Sequence, residues 1–387
     1  MKKVMPAIEI ANVFVKRVSG RWVCSLIVLL AATSLGRAQI FRTRLSSNSA
    51  HSAHQERAAS STPAWTFFFD STPDTGLLWA SVVYDQATNI MVVFGGGDAG
   101  LGGNTTNAVL SLTDANGLGG TSNWNTLIAN GEVGSPTARA EHTAVYDPTS
   151  NRMIVFGGCG PGNVDTTGCS VIGLNDVWVL SNANGQGGTP VWTQLAPSGP
   201  LPAPRFGHCA VYDAANNRMI VFGGLDLLQQ HFDDVWVLSN ANGLGGTPAW
   251  TQLSPSGGPP AASFISSAVF DANEDIMVVF GGRSNTSTND TNAVWTLSNA
   301  NGLGGSPRWK NIVANGAAGS PAKREDHSAI YDMTNNRMTI FGGSGSEPCS
   351  GHGAIYDSVN NLMTIFAGAN DDAQFYGFWV LTGANGL

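Results

Sequence analysis

The 387-residue chain contains 48 Gly, 18 Pro and 11 Trp, with only 12% charged residues and a formal charge of −8. Turn formers and aromatics in such numbers, with few Glu and Lys to coat helix surfaces, exclude a helical repeat and point to an all-β protein. The acidic balance argues against nucleic acid or an anionic membrane as partner.

At the N-terminus, Lys2, Lys3, Lys16, Arg17 and Arg21 precede an apolar run from Trp22 to about Leu35, followed by Gly36-Arg37-Ala38. Residues 1–38 read as a cleavable export signal, with an uncleaved anchor as the other reading. The run of 14 residues is short for a membrane span. Cleavage removes six of the 19 basic residues and one of the 27 acidic ones, leaving a formal charge of −13. The mature chain is then expected to be secreted or periplasmic, to lack a membrane span and to be monomeric. Residues 39–60, rich in Ser and Ala, are expected to be a disordered leader, and the folded domain to run from 61 to 387.

The domain is repetitive. Asn-Arg-Met-Ile-Val-Phe-Gly-Gly occurs at 151–158 and again at 217–224. An apolar run closed by a glycine pair recurs at Phe94, Phe156, Phe222, Phe280 and Phe341, with a worn copy, Phe366-Ala367-Gly368. These Phe positions are 62, 66, 58, 61 and 25 residues apart, and the first four intervals suit a four-stranded propeller blade. In the second repeat the pattern predicts strand a over His142–Asp147, b over Met153–Phe156, c over Asp176–Leu180 and d over Val191–Leu195. Strand b has no polar alternation, as a strand buried on both faces requires.

Connection lengths separate the two ends of a blade. Five residues lie between the Asp ending strand a and the Met of strand b in all six copies, and eleven between the last Leu of c and the Trp of d in four. The latter filler, Ser-Asn-Ala-Asn-Gly-Leu-Gly-Gly-Thr-Pro or close to it, supplies Asn and Gly for left-handed backbone. The b–c connections instead run 10, 16, 8 and 9 residues in unrelated sequences. Variation is confined to one face of the disc, the expected binding face.

The last repeat stops after strand c at Phe378–Leu381, whereas Thr62-Pro63-Ala64-Trp65-Thr66 matches the d strand at Thr247-Pro248-Ala249-Trp250-Thr251. Pairing these N-terminal and C-terminal strands closes a ring and removes exposed sheet edges. In the fifth repeat only eight residues separate Gly343 from His352, so strands c and d are missing. The ring has six blades with the fifth truncated, or five blades in which two a–b hairpins merge.

The glycine pair after strand b, the strand-a tyrosines (Tyr146, Tyr212, Tyr331, Tyr356) and the strand-d Trp together resemble the Kelch-repeat family over about residues 61–387. The resemblance implies a toroid of four-stranded blades of the galactose oxidase central-domain type, here in a bacterial secreted form. It implies a non-catalytic propeller that binds a protein or carbohydrate through the variable loops, with no cofactor and no metal. A periplasmic sugar epimerase or mutarotase similar to N-acetylneuraminate epimerase is the alternative, with Glu141 and Asp326 among its candidate acid–base groups. A copper oxidase is disfavoured, because all tyrosines but Tyr376 are the repeated aromatic and His231 is the single propeller histidine outside the repeat register.

His142, His208, His327 and His352 occupy one repeated position and read as structural. Arg139, Arg205 and Arg324 stand three residues before the first three of them, and a ring of these cations could hold an anion. Asp226, His231 and Arg283 are further ligand-face candidates; no catalytic residue is assigned. Cys159 and Cys169, in the longest b–c loop, are the expected disulfide.

Overall fold

The computed structural model describes residues 9–18, 21–27, 63–68, 77–98, 104–162, 172–261, 263–284, 290–344, 351–368 and 378–386. The leader at 39–60 and Cys169 lie outside them. Among the described residues all regular elements are strands, and five complete four-stranded blades are built from residues 64–382. From inside outward these are Ser81–Asp85, Ile90–Phe94, Val109–Thr113 and Trp124–Ile128 in blade 1. Blade 2 has Thr143–Asp147, Arg152–Cys159, Gly173–Ser181 and Val191–Leu195. Blade 3 has Cys209–Asp213, Arg218–Phe222, Val235–Ser239 and Ala249–Leu253. Blade 4 has Ser267–Asp271, Ile276–Phe280, Val294–Ser298 and Arg308–Val313.

The closing blade, blade 6, joins Gly353–Asp357, Leu362–Phe366 and Phe378–Thr382 to the N-terminal strand Ala64–Phe68. Leu381 faces Trp65 and Val380 faces Thr66 in antiparallel register. The Trp65 and Trp379 rings meet edge-on at 6.4 Å. The ring therefore closes by the expected strand exchange.

The five complete blades match the five-blade reading, with one departure: the fifth repeat is not merged with its neighbour. Its hairpin, Glu325–Asp332 with Arg337–Ser344, forms a separate sheet whose inner strand lies between those of blades 4 and 6. Two outer strands, Glu9–Val18 and Arg21–Ile27, extend this sheet, the first running parallel to the hairpin and registered only against Arg337, Met338 and Thr339. Every other strand pairing within the blades is antiparallel.

The core lies between blades, which explains why strand b is apolar on both faces. Each of six clusters draws on two neighbouring blades; one holds Val92 and Phe94 of blade 1 against Met153, Val155 and Trp192 of blade 2. The strand-d indole covers the strand-b phenyl of the preceding blade at five junctions: Trp124–Phe366, Trp192–Phe94, Trp250–Phe156, Trp309–Phe222 and Trp65–Phe341, with centroids 4.8 to 5.4 Å apart. Tilted aromatic pairs of this kind add to plain area burial.

The glycine pair has a steric cause. Gly95 has φ +68, and a Cβ there would stand 2.6 Å from the Arg139 carbonyl oxygen and 2.7 Å from His142 Cε1 of the next blade. Its neighbour Gly96 donates its N–H to that same carbonyl at 2.8 Å, a tie repeated from Gly158 to Arg205, Gly224 to Ser263 and Gly282 to Arg324.

On the opposite face a belt of side-chain amides locks the blades. Tyr212 Oη donates to Asn217 Oδ1, Asn217 Nδ2 donates to Asn242 Oδ1, and Asn242 Nδ2 donates to Asp147 Oδ2 of the preceding blade. Asn116, Asn184, Asn301 and Asn385 make the same inter-blade bond to Asp357, Asp85, Asp213 and Asp332. The fixed spacing of the Asn-Ala-Asn-Gly filler and of the Asp-ended strand a thus encodes blade-to-blade contact, and the loops of that face cannot vary without breaking it.

Candidate functional site

The site is assembled where strand a begins, on the face carrying the b–c and d–a connections. The residue before each repeated-histidine position has a left-handed backbone: Trp79, Glu141, Gly207, Ile265, Asp326 and Gly351 have φ between +52 and +69. These residues form a ring of their own, because the N–H of Glu141 donates to Trp79 O, Gly207 to Glu141 O, Ile265 to Gly207 O, Asp326 to Ile265 O, and Trp79 to Gly351 O. Five of these bonds, 2.6 to 3.1 Å long, circle the axis and place six side-chain positions at its mouth.

Two carboxylates and an indole occupy that ring. Trp79 Nε1 donates to Asp326 Oδ2 at 3.1 Å. Glu141 is 9% exposed, and its Oε2 is buried without a hydrogen-bond partner. Burial first, then the charges of Asp326 and Glu325, push the Glu141 carboxyl up to about 8. With its carboxyl held up, Glu141 is protonated at neutral pH and can donate a hydrogen bond at the mouth. Glu325 is held by Arg283 Nη2, whose Nε lies 3.6 Å from Asp290.

The expected site residues separate into three groups. Arg283 reaches the axial cluster. Arg139 and Arg205 do not face a ligand: both are fully buried, and each guanidinium is bidentate to a carboxylate at the start of its own strand c. Arg139 Nη1 lies 2.7 Å from Asp176 Oδ1, and Arg205 Nη1 lies 2.6 Å from Asp234 Oδ1. Burial opposes ionisation of Asp176, but Arg139 and Trp178 outweigh it and hold the carboxyl below its ordinary range. Arg324 is buried as well, donating through Nε to Ala322 O and through Nη1 to Gly342 O. An anion-binding ring of these three arginines has no support in this geometry.

Asp226 turns inward on its own loop, accepting the Leu228 and Gln230 N–H groups at 2.8 Å. His231 lies in the same loop, stacked on Phe264 at 5.5 Å, and burial lowers its pKa. The repeated histidines serve the junctions between blades. His208 Nε2 bonds Thr143 Oγ1 at 2.8 Å, His327 Nε2 bonds Ser267 Oγ at 2.7 Å, and burial pushes both rings down to about 3. Among the described residues no three His, Cys, Asp or Glu side chains gather as metal ligands. Cys159 is buried, and the expected bridge to Cys169 lies outside the described residues.

Sequence reasoning did not single out Trp79, although its place one residue before the repeated-histidine register would have put it beside Glu141 and Asp326. It also missed Asp176 and Asp234 as arginine partners. Their signal was internal: the two blades with Arg139 and Arg205 have these acids, while blades 1 and 4 carry Leu77 with Ala108 and Ser263 with Ala293 at the same two positions.

Residues 162–346 match the family model of the KLHDC2/KLHL20/DRC7 Kelch-repeats domain. The chain is similar to the serine/threonine-protein phosphatase BSL2 of Arabidopsis thaliana, 29% identical over 224 residues, covering 57% of this chain and 19% of that protein. It is also similar to Adagio-like protein 3 of Oryza sativa subsp. japonica, 28% identical over 54% of this chain and 30% of that one. The flagellar outer-arm dynein alpha chain of Chlamydomonas reinhardtii is 28% identical over 57% of this chain and 4% of its own length. The chain thus spans under a third of each of these relatives. Among solved structures, a fungal alcohol oxidase of the AA5 family in complex with copper aligns with TM-score 0.46 and 13% identity, covering 82% of this chain and 75% of that one.

Proposed function

We propose that this propeller of Kelch repeats is an exported, non-catalytic binding scaffold of the bacterial secreted type, which takes a protein ligand on the face of the b–c and d–a connections. One observation carries the reading: on the face held by the Asp–Asn belt the exposed apolar side chains Leu244, Leu303, Met333 and Val359 stand one to a turn, while on this face the loops of blades 2 and 3 meet and expose Ile172, Leu227 and Leu228 together. Ile172 is 47% and Leu228 87% exposed, and a Cβ on Gly173 would be 3.4 Å from Pro204 and 3.9 Å from Leu227 of the next blade. Such a patch favours a protein surface over a sugar, whose hydroxyls would leave it poorly matched. Similarity to repeats inside much longer proteins supports a modular role. A Cys159–Cys169 bridge would fix the longest loop of this face, and alkylation with and without reductant, read by mass, tests it.

The test of the binding face is site-specific photo-crosslinking in the compartment where the chain accumulates. A probe at Leu228 is expected to capture a discrete protein, and one at Leu303 on the belt face is expected to capture none. Capture at Leu303 alone, or a strong glycan-array signal with no protein crosslink, overturns the reading.

The second reading rests on the axial mouth. A protonated Glu141 with the Asp326 carboxyl on the same ring is a pairing suited to acid–base work on a sugar, as an epimerase or mutarotase requires. Solvent deuterium entering a monosaccharide panel with the native chain, and not with Glu141→Gln, would favour it.

A further inference from the structure

Among the described residues the truncated fifth blade lacks two contacts found at each of the other five junctions and a third found in both other blades that carry the arginine. Among the described residues Phe280 of blade 4 meets His327 but no strand-d indole, whereas the equivalent phenyls of the other five junctions each carry one. Asp271 receives Tyr331 Oη but, among the described residues, no inter-blade Asn amide. Arg324 keeps the two backbone acceptors that Arg139 and Arg205 have, yet among the described residues it has no carboxylate. The missing acid is the one that strand c would supply. Burial alone lowers the Arg324 pKa. An unpaired buried guanidinium is costly, and elsewhere in this chain arginine at that position always comes with an aspartate.

We propose that the fifth blade is an acceptor for an extended segment of another protein, added antiparallel to Arg337–Ser344 and carrying a carboxylate that pairs with Arg324, followed two residues later by an aromatic side chain. The requirements are read from the intact blades. Both strand-c segments that serve an arginine read Asp-Val-Trp-Val-Leu, and in each the Trp Nε1 donates to the same aspartate at 2.7 Å, fixing it for the guanidinium. Glu9–Val18 lies along the acceptor edge but pairs in register only with residues 337–339, leaving Ile340 to Ser344 without a registered partner on that side among the described residues. That strand also runs parallel, setting Glu9 opposite Arg337, at the end of the strand away from Gly342, to which Arg324 is bonded. It belongs to the segment expected to be removed on export, and the ring of residues 64–382 closes without it. Strand addition to a sheet edge draws affinity from main-chain bonds and specificity from alternate side chains. This surface lies on the rim of the disc and is independent of the loop face.

The test uses a fluorescent peptide of residues 173–182, Gly-Leu-Asn-Asp-Val-Trp-Val-Leu-Ser-Asn, titrated by anisotropy with the full chain and with the chain lacking residues 1–38. Saturable binding is expected, tighter to the shortened chain. The Asp176→Asn peptide is expected to bind at least about tenfold more weakly, the loss of one charge-assisted pair. Arg324→Leu in the protein should weaken the native peptide by the same factor and leave the Asn peptide unaffected. The peptide comparison needs no altered protein, so it stands even where Arg324→Leu folds poorly, and Arg324→Lys offers a milder change. Absence of binding, or equal affinity for the two peptides, overturns the proposal. So does concentration-dependent self-association abolished by Arg324→Leu, which would put a second copy of this chain in the partner's place.

Discussion

Glu141→Gln is expected to change the pH dependence of stability in one direction only. In the unfolded chain this carboxyl has the ordinary value of 4.5, whereas in the folded mouth it is raised to about 8. Below pH 4.5 both states hold the proton and the folded state bears no penalty. As pH rises from 4.5 the unfolded chain ionises while folded Glu141 stays protonated, so stability falls steadily until the folded carboxyl ionises near 8. At about 1.4 kcal/mol per unit, a rigid site would lose about 5 kcal/mol across that window. Water entering at the mouth and relaxation of the ring reduce this to roughly 2 kcal/mol. Gln keeps the shape and cannot ionise. The variant should match the native protein at pH 4.5 and melt about 4 °C higher at pH 8.5. The histidines contribute the opposite trend at acid pH, so the quantity to read is the difference between the two melting curves. Parallel curves from pH 4.5 to 8.5 would refute the assignment of a buried, protonated Glu141.

Three further outcomes follow from the inter-blade contacts. Asp234→Ala leaves the buried Arg205 uncompensated and should cost about 3–5 kcal/mol, whereas Arg205→Leu with Asp234→Ala reproduces the Leu77–Ala108 arrangement of blade 1 and should lie within about 1 kcal/mol of native; urea unfolding followed by Trp fluorescence separates the two. Asn242→Ala deprives Asp147 of a buried donor and Asn217 of an acceptor, for an expected loss of about 1–3 kcal/mol by the same assay. Gly223→Ala places a methyl group 2.6 Å from the Ser263 carbonyl oxygen at φ +73, and should lower the melting temperature more than any exposed glycine change such as Gly131→Ala, where nothing lies within 4 Å.

The ring was legible because its contacts are periodic. The five-residue a–b spacing, the eleven-residue c–d spacing and the displaced strand around Trp65 each correspond to a tie that recurs at successive junctions, so counting residues was enough to find them. The axial site was only half legible. Glu141 and Asp326 were noted as charged residues, but their convergence depends on a left-handed backbone at one register position and on hydrogen bonds between blades some 60 residues apart, as from Gly207 to Glu141. Arg139 and Arg205 misled for a related reason: a repeated cation looks like a site until its partner in the same blade is identified. The partner was in the sequence, present wherever an arginine-bearing repeat had a strand c and replaced by alanine in blades 1 and 4, where the arginine is absent too.

That covariation also makes the exceptions informative. Five of the six junctions carry the Asn–Asp bond and the indole on the phenyl, and the junction between blades 4 and 5 lacks both. Arg324 is the third exception at the same repeat. Independent drift at three contacts has no reason to concentrate there, whereas one absent c–d hairpin removes all three together, since each missing group would have been carried by it. Asp271 keeps the Tyr331 hydroxyl, and Phe280 stays covered by the apolar residues around it, Met338 and Ile340 among them. A guanidinium cannot be satisfied by apolar packing, and this asymmetry in what a truncated blade can absorb leaves Arg324 as the group most in need of an incoming strand.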